Sequence, residues 1–317
     1  MCREPNRCGT VQQVRSAPRA DILEQFIEGK LPSADRCEDA LYSGDSFIAV
    51  IDGATNTETV YDDGRRPGRI AAELLTSALA GLDPQVDARS AVLSLDRAIA
   101  DWYRKRGILD QVRHDVQARI SASAVILSLC RREIWMIGDC QALIEDRHVT
   151  NHKRTDSLME EVRAFANESE LAAGATVEQL LRDDTGRAVI DELIRRQRYF
   201  QNRIGESPYN YFVLDGFLPD IAPILVHALP DAVTTVVLAS DGYPRLRPTL
   251  HDTEAELKRI LKRDPLLCGE FKSTKGVYPG NRSFDDRTYI RIRLSAGPEK
   301  FPPGKTASAR RRQRRQQ

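Results

Sequence analysis

Residues 121–144 read SASAVILSLC-RR-EIWMIGDCQALI, two apolar runs joined by Arg131-Arg132. Each run has the length of a strand, and the two-residue polar joint predicts a hairpin. Upstream, residues 46–52 (SFIAVID) form another apolar run that ends in Asp52-Gly53. Downstream, residues 234–240 (TTVVLAS) predict a buried strand ending in Asp241-Gly242, and residues 287–294 (RTYIRIRL) alternate strictly, as a half-buried strand does. Between these runs lie helical patterns. Residues 69–79 (RIAAELLTSAL) are one, and residues 91–106 place Val92, Leu95, Ile99 and Trp102 at helical spacing. Residues 156–166 predict a helix with Thr155 or Asp156 as its cap. Residues 177–182 and 188–201 are further helical stretches, and residues 211–215 are strand-like. Residues 253–263 predict a helix with Thr253 capping and Glu256 at the capping-box position.

The order is strand, two helices, hairpin, helices, strands, helix, strand. Paired helices and hairpins do not suit a doubly wound parallel sheet. They suit antiparallel sheets with helices on their outer faces, an α+β layered domain.

The bulk numbers set the class. The chain has 317 residues, 41% hydrophobic and 29% charged, with a formal net charge of +1. That is an ordinary globular composition with no general pull toward polyanions. No apolar run approaches the ~20 residues that span a bilayer. Residues 1–19 read as a flexible polar leader without the apolar stretch of a secretory signal, so a cytoplasmic location is expected. The six cysteines show no CxxC spacing and read as free thiols. Residues 20–296 read as one domain. The tail, residues 297–317, carries Lys300, Lys305 and five arginines between Arg310 and Arg315, with few apolar residues. That composition predicts a basic disordered tail, for solubility or for contact with nucleic acid or another acidic surface.

The chemistry lies in the acids. Glu38-Asp39, Asp52-Gly53, Gly138-Asp139, Asp241-Gly242 and Asp285-Asp286 recur, mostly at strand ends. Any one Asp-Gly after a strand is an ordinary turn; the set is what counts. Carboxylates brought together at one sheet edge repel and stay ionised only beside a cation. An all-oxygen donor set selects magnesium, manganese or calcium. Two such ions would lower the pKa of a water for attack on phosphorus.

In these residues the sequence resembles the metal-dependent serine/threonine protein phosphatases of type 2C, in their bacterial form. Glu38-Asp39, SFIAVIDGA, SASAVILSL, EIWMIGDCQALI, Val149 to His152 (VTNH), TVVLASDG and Asp285-Asp286-Arg287-Thr288 before YIRIRL carry the resemblance in order, from about Asp35 to Leu294. It implies a four-layer α/β/β/α sandwich, two central antiparallel sheets flanked by helices. It also implies two divalent cations, magnesium or manganese, with a third in parts of the family. Asp52 would bridge both and serve catalysis. Asp39, Gly53, Asp241 and Asp285 would complete the shells, and Asp139 would serve the third. Glu38, His152 and Asp286 would stand behind them, Glu38 orienting a water.

The sequence also departs from the pattern. Ala34 stands where the family's phosphate-binding arginine is expected, leaving Arg36, Arg65 and Arg66 as phosphate-binding candidates, with Arg36 the one expected to serve catalysis beside Asp52. Ala54 stands in place of a histidine found in eukaryotic members, and Asn151 and Asp286 replace supporting residues. The activity expected is phosphomonoester hydrolysis on phosphoserine or phosphothreonine in proteins. The rivals are a catalytically weak or inactive binding module and a phosphatase for a small metabolite.

Overall fold

The computed structural model describes residues 20–33, 36–54 and 64–295. The leader, the basic tail and the candidate substitution at Ala34 lie outside the described residues. Within them, two antiparallel five-stranded sheets stack face to face. In chain order the strands are β1 (Ala20–Glu28), β2 (Ala40–Ser43), β3 (Phe47–Gly53), β4 (Ala122–Ser128), β5 (Glu133–Ile137), β6 (Gln141–Ile144), β7 (Arg147–Thr150), β8 (Leu225–Ala228), β9 (Thr235–Ala239) and β10 (Arg287–Leu294). One sheet runs β2-β3-β4-β5-β8 and the other β1-β10-β9-β6-β7. The helices are α1 (Pro67–Leu79), α2 (Ala88–Lys105), α3 (Leu109–His114), α4 (Arg154–Ala172), α5 (Val177–Arg182), α6 (Thr185–Gln197) and α7 (Leu250–Arg263).

The apolar runs explain the layers. A strand turns alternate side chains to opposite faces, so a run buried throughout must have cover on both. In β3, Ile48 and Val50 pack between the sheets, while Phe47, Ala49 and Ile51 pack outward against α1 and α2. In β9, Val236 and Leu238 point inward, and Val237 and Ala239 point to the α7 side. The result is the expected α/β/β/α order. A smaller apolar cluster joins α4, α5 and the loop after α7 through Ala164, Leu180 and Leu266. Buried Arg163 ties that region together, pairing with Asp184 at 2.7 Å and donating to the carbonyls of Leu266 and Ser273 at 3.0 and 2.9 Å.

Several expectations need correction. Neither Thr155 nor Asp156 caps α4: the helix starts at Arg154, both residues lie inside its first turn, and no side chain caps it. The helical stretch expected to reach residue 201 ends at Gln197 and continues as a 3-10 turn over Arg198–Phe200. Residues 133–144 are not one strand: β5 pairs with β4 in one sheet and β6 with β9 in the other. The break is at Gly138, whose φ of 82° is left-handed. A side chain there would also run into Ser123, so glycine is required on both counts. The last helix is capped by Thr249, whose hydroxyl accepts from the Asp252 N–H at 3.1 Å. Thr253 is instead buried inside α7, bonded to the Arg247 and Thr249 backbone. Residues 211–215 make isolated bridges, Tyr211 to Gln201 and Leu214 to Ala122, and not a strand. The strands β1, β2, β7 and β8 have no run of buried apolar residues: each carries polar or exposed positions along its length.

Candidate metal centre

The acidic positions meet where the ends of the two sheets come together. Asp52 is near the end of β3, directly opposite Ser123 of β4. The Ser123 hydroxyl donates to Asp139 Oδ1 at 2.6 Å, which ties the β5–β6 break to the β3–β4 pair. Asn151 steadies the same break by donating to the Gly138 carbonyl at 2.9 Å. Asp241 follows β9. Asp39 precedes β2 and accepts from the Thr288 hydroxyl of β10 at 2.8 Å, a link between the sheets. Gly53 permits the close approach on the β3 side. A Cβ there would strike the backbone of Gly68 at the start of α1 and of Glu38.

Asp52, Asp139 and Asp241 each bring one carboxylate oxygen within 4.8 Å of the others, a spacing that can hold a metal ion. Among the described residues no lysine or arginine makes an ion pair with Asp39, Asp52 or Asp241. Asp39 Oδ1 and Asp241 Oδ1 are buried without a hydrogen-bond partner. Buried, unpartnered carboxylate oxygens cost free energy unless a cation meets them.

The electrostatics agree. Burial, then the Asp241, Asp39 and Asp139 charges, push the Asp52 carboxyl well above the usual range. Burial and Asp286 push Asp39 up to about 7. Burial and Asp285 push Asp241 up to about 7. These groups give up protons at neutral pH at a cost that a divalent ion would remove. The donors are all carboxylate oxygens, which fits magnesium or manganese.

The other two aspartates differ. Burial pushes the Asp139 carboxyl up, but Lys153, at 2.6 Å from Oδ2, more than offsets it and holds it below the usual range. Burial likewise acts on Asp285, and Lys275 and Lys30 overcome it. Lys30 Nζ lies 2.9 Å from Asp285 Oδ1, and Lys275 Nζ pairs with Oδ2.

The supporting positions fall as follows. Both Asp286 oxygens accept backbone N–H groups, Lys30 at 2.7 Å and Glu38 at 3.0 Å, so this residue fixes the backbone beside Asp39. Glu38 is fully buried, accepts from the Gly68 N–H at 3.1 Å and has Arg66 3.5 Å away. Of the three candidate arginines, only Arg66 is thereby brought to this cluster. Arg65 turns out to Glu73 on α1 at 2.8 Å, and Arg36 is exposed. His152 faces Glu160 of α4 at 3.6 Å, and its neighbour Lys153 is the residue that reaches an aspartate.

Lys30, Lys153 and Lys275 are the residues that sequence reasoning missed. Each sits in a polar segment, where a lysine looks like any surface lysine. Cys37 and Cys140 border the cluster. Burial drives both thiols up, Cys37 to about 12, so neither offers a thiolate. The described cysteines are free, as expected.

No protein-family model matches the sequence, and no curated protein matches it. Among solved structures the chain is similar to the Mycobacterium tuberculosis serine/threonine phosphatase PstP/Ppp, with TM-score 0.44, 16% identity and coverage of 88% of this chain and 99% of that one. It is similar to the serine/threonine phosphatase Stp1 from Staphylococcus aureus, with TM-score 0.45, 12% identity and coverage of 91% and 99%. A third neighbour is RsbX in complex with magnesium, with TM-score 0.41, 11% identity and coverage of 88% and 100%. Likeness at this level carries no argument about chemistry, and the functional reading rests on the residues of the site.

Proposed function

We propose that this protein is a divalent-metal-dependent phosphomonoester hydrolase acting on phosphoserine or phosphothreonine in proteins. The observation that carries the reading is the carboxylate cluster of Asp52, Asp139 and Asp241, with buried, unpartnered oxygens on Asp39 and Asp241. Asp52, Asp241 and Asp39 would hold the ion, and the Gly53 carbonyl lies on the same strand end. When bound, magnesium or manganese supplies positive charge against phosphoryl oxygens and a water that is acidic enough to act near neutral pH.

The chain's own residues do the rest. Ser123 and Lys153 fix the Asp139 carboxylate from both oxygens. Thr288 fixes Asp39, and the Gly68 N–H fixes Glu38 beside it. Arg66, close to the centre and offering a forked set of donors, is the arginine best placed to meet a substrate phosphate. Among the described residues no cysteine or histidine is positioned as a nucleophile, so the reading is direct attack by water without a phosphoenzyme.

The test is turnover of p-nitrophenyl phosphate and of a phosphothreonine peptide with manganese, with magnesium and with chelator. Chelator-sensitive hydrolysis of the peptide supports the reading. Hydrolysis of the small ester alone would move the substrate to a small metabolite. Folded protein that binds manganese without turnover would make it a binding module.

A further inference from the structure

The aspartates of the cluster divide into two sets. Asp39, Asp52 and Asp241 have no ammonium or guanidinium at ion-pair distance among the described residues, and two of them carry buried oxygens with no partner. Asp285 is the opposite case. One oxygen is held by Lys30 at 2.9 Å and the other by Lys275, and both its side chain and that of Lys30 are largely buried, 10% and 13% exposed. The Lys30 end of the bridge and Asp285 itself are both tied to Asp286. The Lys30 backbone N–H is bonded to Asp286 Oδ1 at 2.7 Å, and the Asp286 N–H donates to Asp285 Oδ1 at 2.9 Å.

We propose that this centre binds a single divalent cation, on the Asp52–Asp241 side. The Lys30–Asp285–Lys275 bridge supplies the positive charge that a second ion would otherwise bring. The inference rests on reading the cluster as a metal centre. A carboxylate with an ammonium group on each oxygen is already neutralised, and a divalent ion placed on it would sit beside two positive charges. Asp139, by contrast, carries one lysine and a neutral hydroxyl, and it still shares the 4.8 Å grouping with Asp52 and Asp241.

The test counts ions without reference to turnover. Full-length protein is dialysed against manganese, bound metal is measured per chain, and the manganese EPR spectrum is recorded. The expected result is one manganese per chain with the spectrum of an isolated ion. Lys30→Met/Lys275→Met, which leaves Asp285 without its partners, is expected to bind two, with the spectrum of a spin-coupled pair. Lys275→Met alone serves as the milder variant if the double one fails to fold. Two ions in the wild-type chain would overturn the inference and leave the metal-centre reading intact. One ion in wild type and variants alike would overturn the role given to the lysines. No manganese bound at all would remove the metal-centre reading itself.

Discussion

Asp39→Asn separates the cost of the site from its use. The substitution removes a buried negative charge and keeps nearly the same shape. The Asp39 carboxyl is pushed up to about 7 in the fold, against about 3.9 for a free aspartate. At ~1.4 kcal/mol for each tenfold change in proton affinity, ionised Asp39 costs the metal-free fold about 4 kcal/mol at pH 8. The asparagine carbonyl can still accept the Thr288 hydroxyl, but without charge assistance, a loss of ~1–2 kcal/mol. The variant is therefore more stable than wild type by roughly 2–3 kcal/mol in chelator at pH 8, a rise in Tm of roughly 4–10 °C for a domain of this size.

The sign of the pH dependence follows from the direction of the shift. Because the folded pKa is raised, the penalty is full above about 7 and is lost as pH falls toward 4. The advantage of the variant shrinks by more than half between pH 8 and pH 5. With saturating manganese the order reverses, since only wild type offers the charge that the ion stabilises. Thermal melts in chelator and in manganese, at pH 8 and pH 5, measure all three effects. A destabilised variant in chelator at pH 8, or an advantage that does not change with pH, would refute the electrostatic reasoning.

Other outcomes follow from the same contacts. Arg163→Met leaves Asp184 buried without its cation and costs ~3–5 kcal/mol in denaturant unfolding; a loss below 1 kcal/mol would mean that the α4–α6 region is not held by this pair. Gly53→Ala forces a methyl group into the backbone of Gly68 and Glu38, costing ~1–3 kcal/mol and weakening manganese binding; unchanged calorimetric affinity would show that this approach does not position Asp52. Lys153→Met removes the charge that holds the Asp139 carboxyl down, so its midpoint in a carboxyl-carbon NMR titration of metal-free protein moves up; an unmoved midpoint would assign the effect elsewhere.

Much of the molecule was legible because its central strands are buried on both faces. SFIAVID, SASAVILS and TVVLA stand out as short apolar runs for the reason that they lie between two layers each. The edge strands β1, β7 and β8 hide because one side faces solvent and tolerates polar residues. The break within residues 133–144 depends on the left-handed conformation of Gly138, and a glycine in a strand pattern can equally mark a bulge. The aspartates could be found from their repeated place beside glycines at strand ends. Their distances could not, and neither could their separation into free and lysine-bound sets. Lys30 and Asp285 are 255 positions apart in the chain and meet only because β1 pairs with β10. The assignment of Arg65 and Arg66 turned on side-chain direction at the start of α1, which adjacent arginines do not reveal in sequence.

Asp52 is proposed to stand at the heart of a metal-dependent hydrolytic site. The most direct measurement is p-nitrophenyl phosphate hydrolysis by wild type and Asp52→Asn, side by side in saturating manganese, with circular dichroism as the check on folding. Wild type is expected to show chelator-sensitive turnover, and the folded variant to lose both turnover and the manganese-induced rise in Tm. Full activity in the folded variant would contradict it.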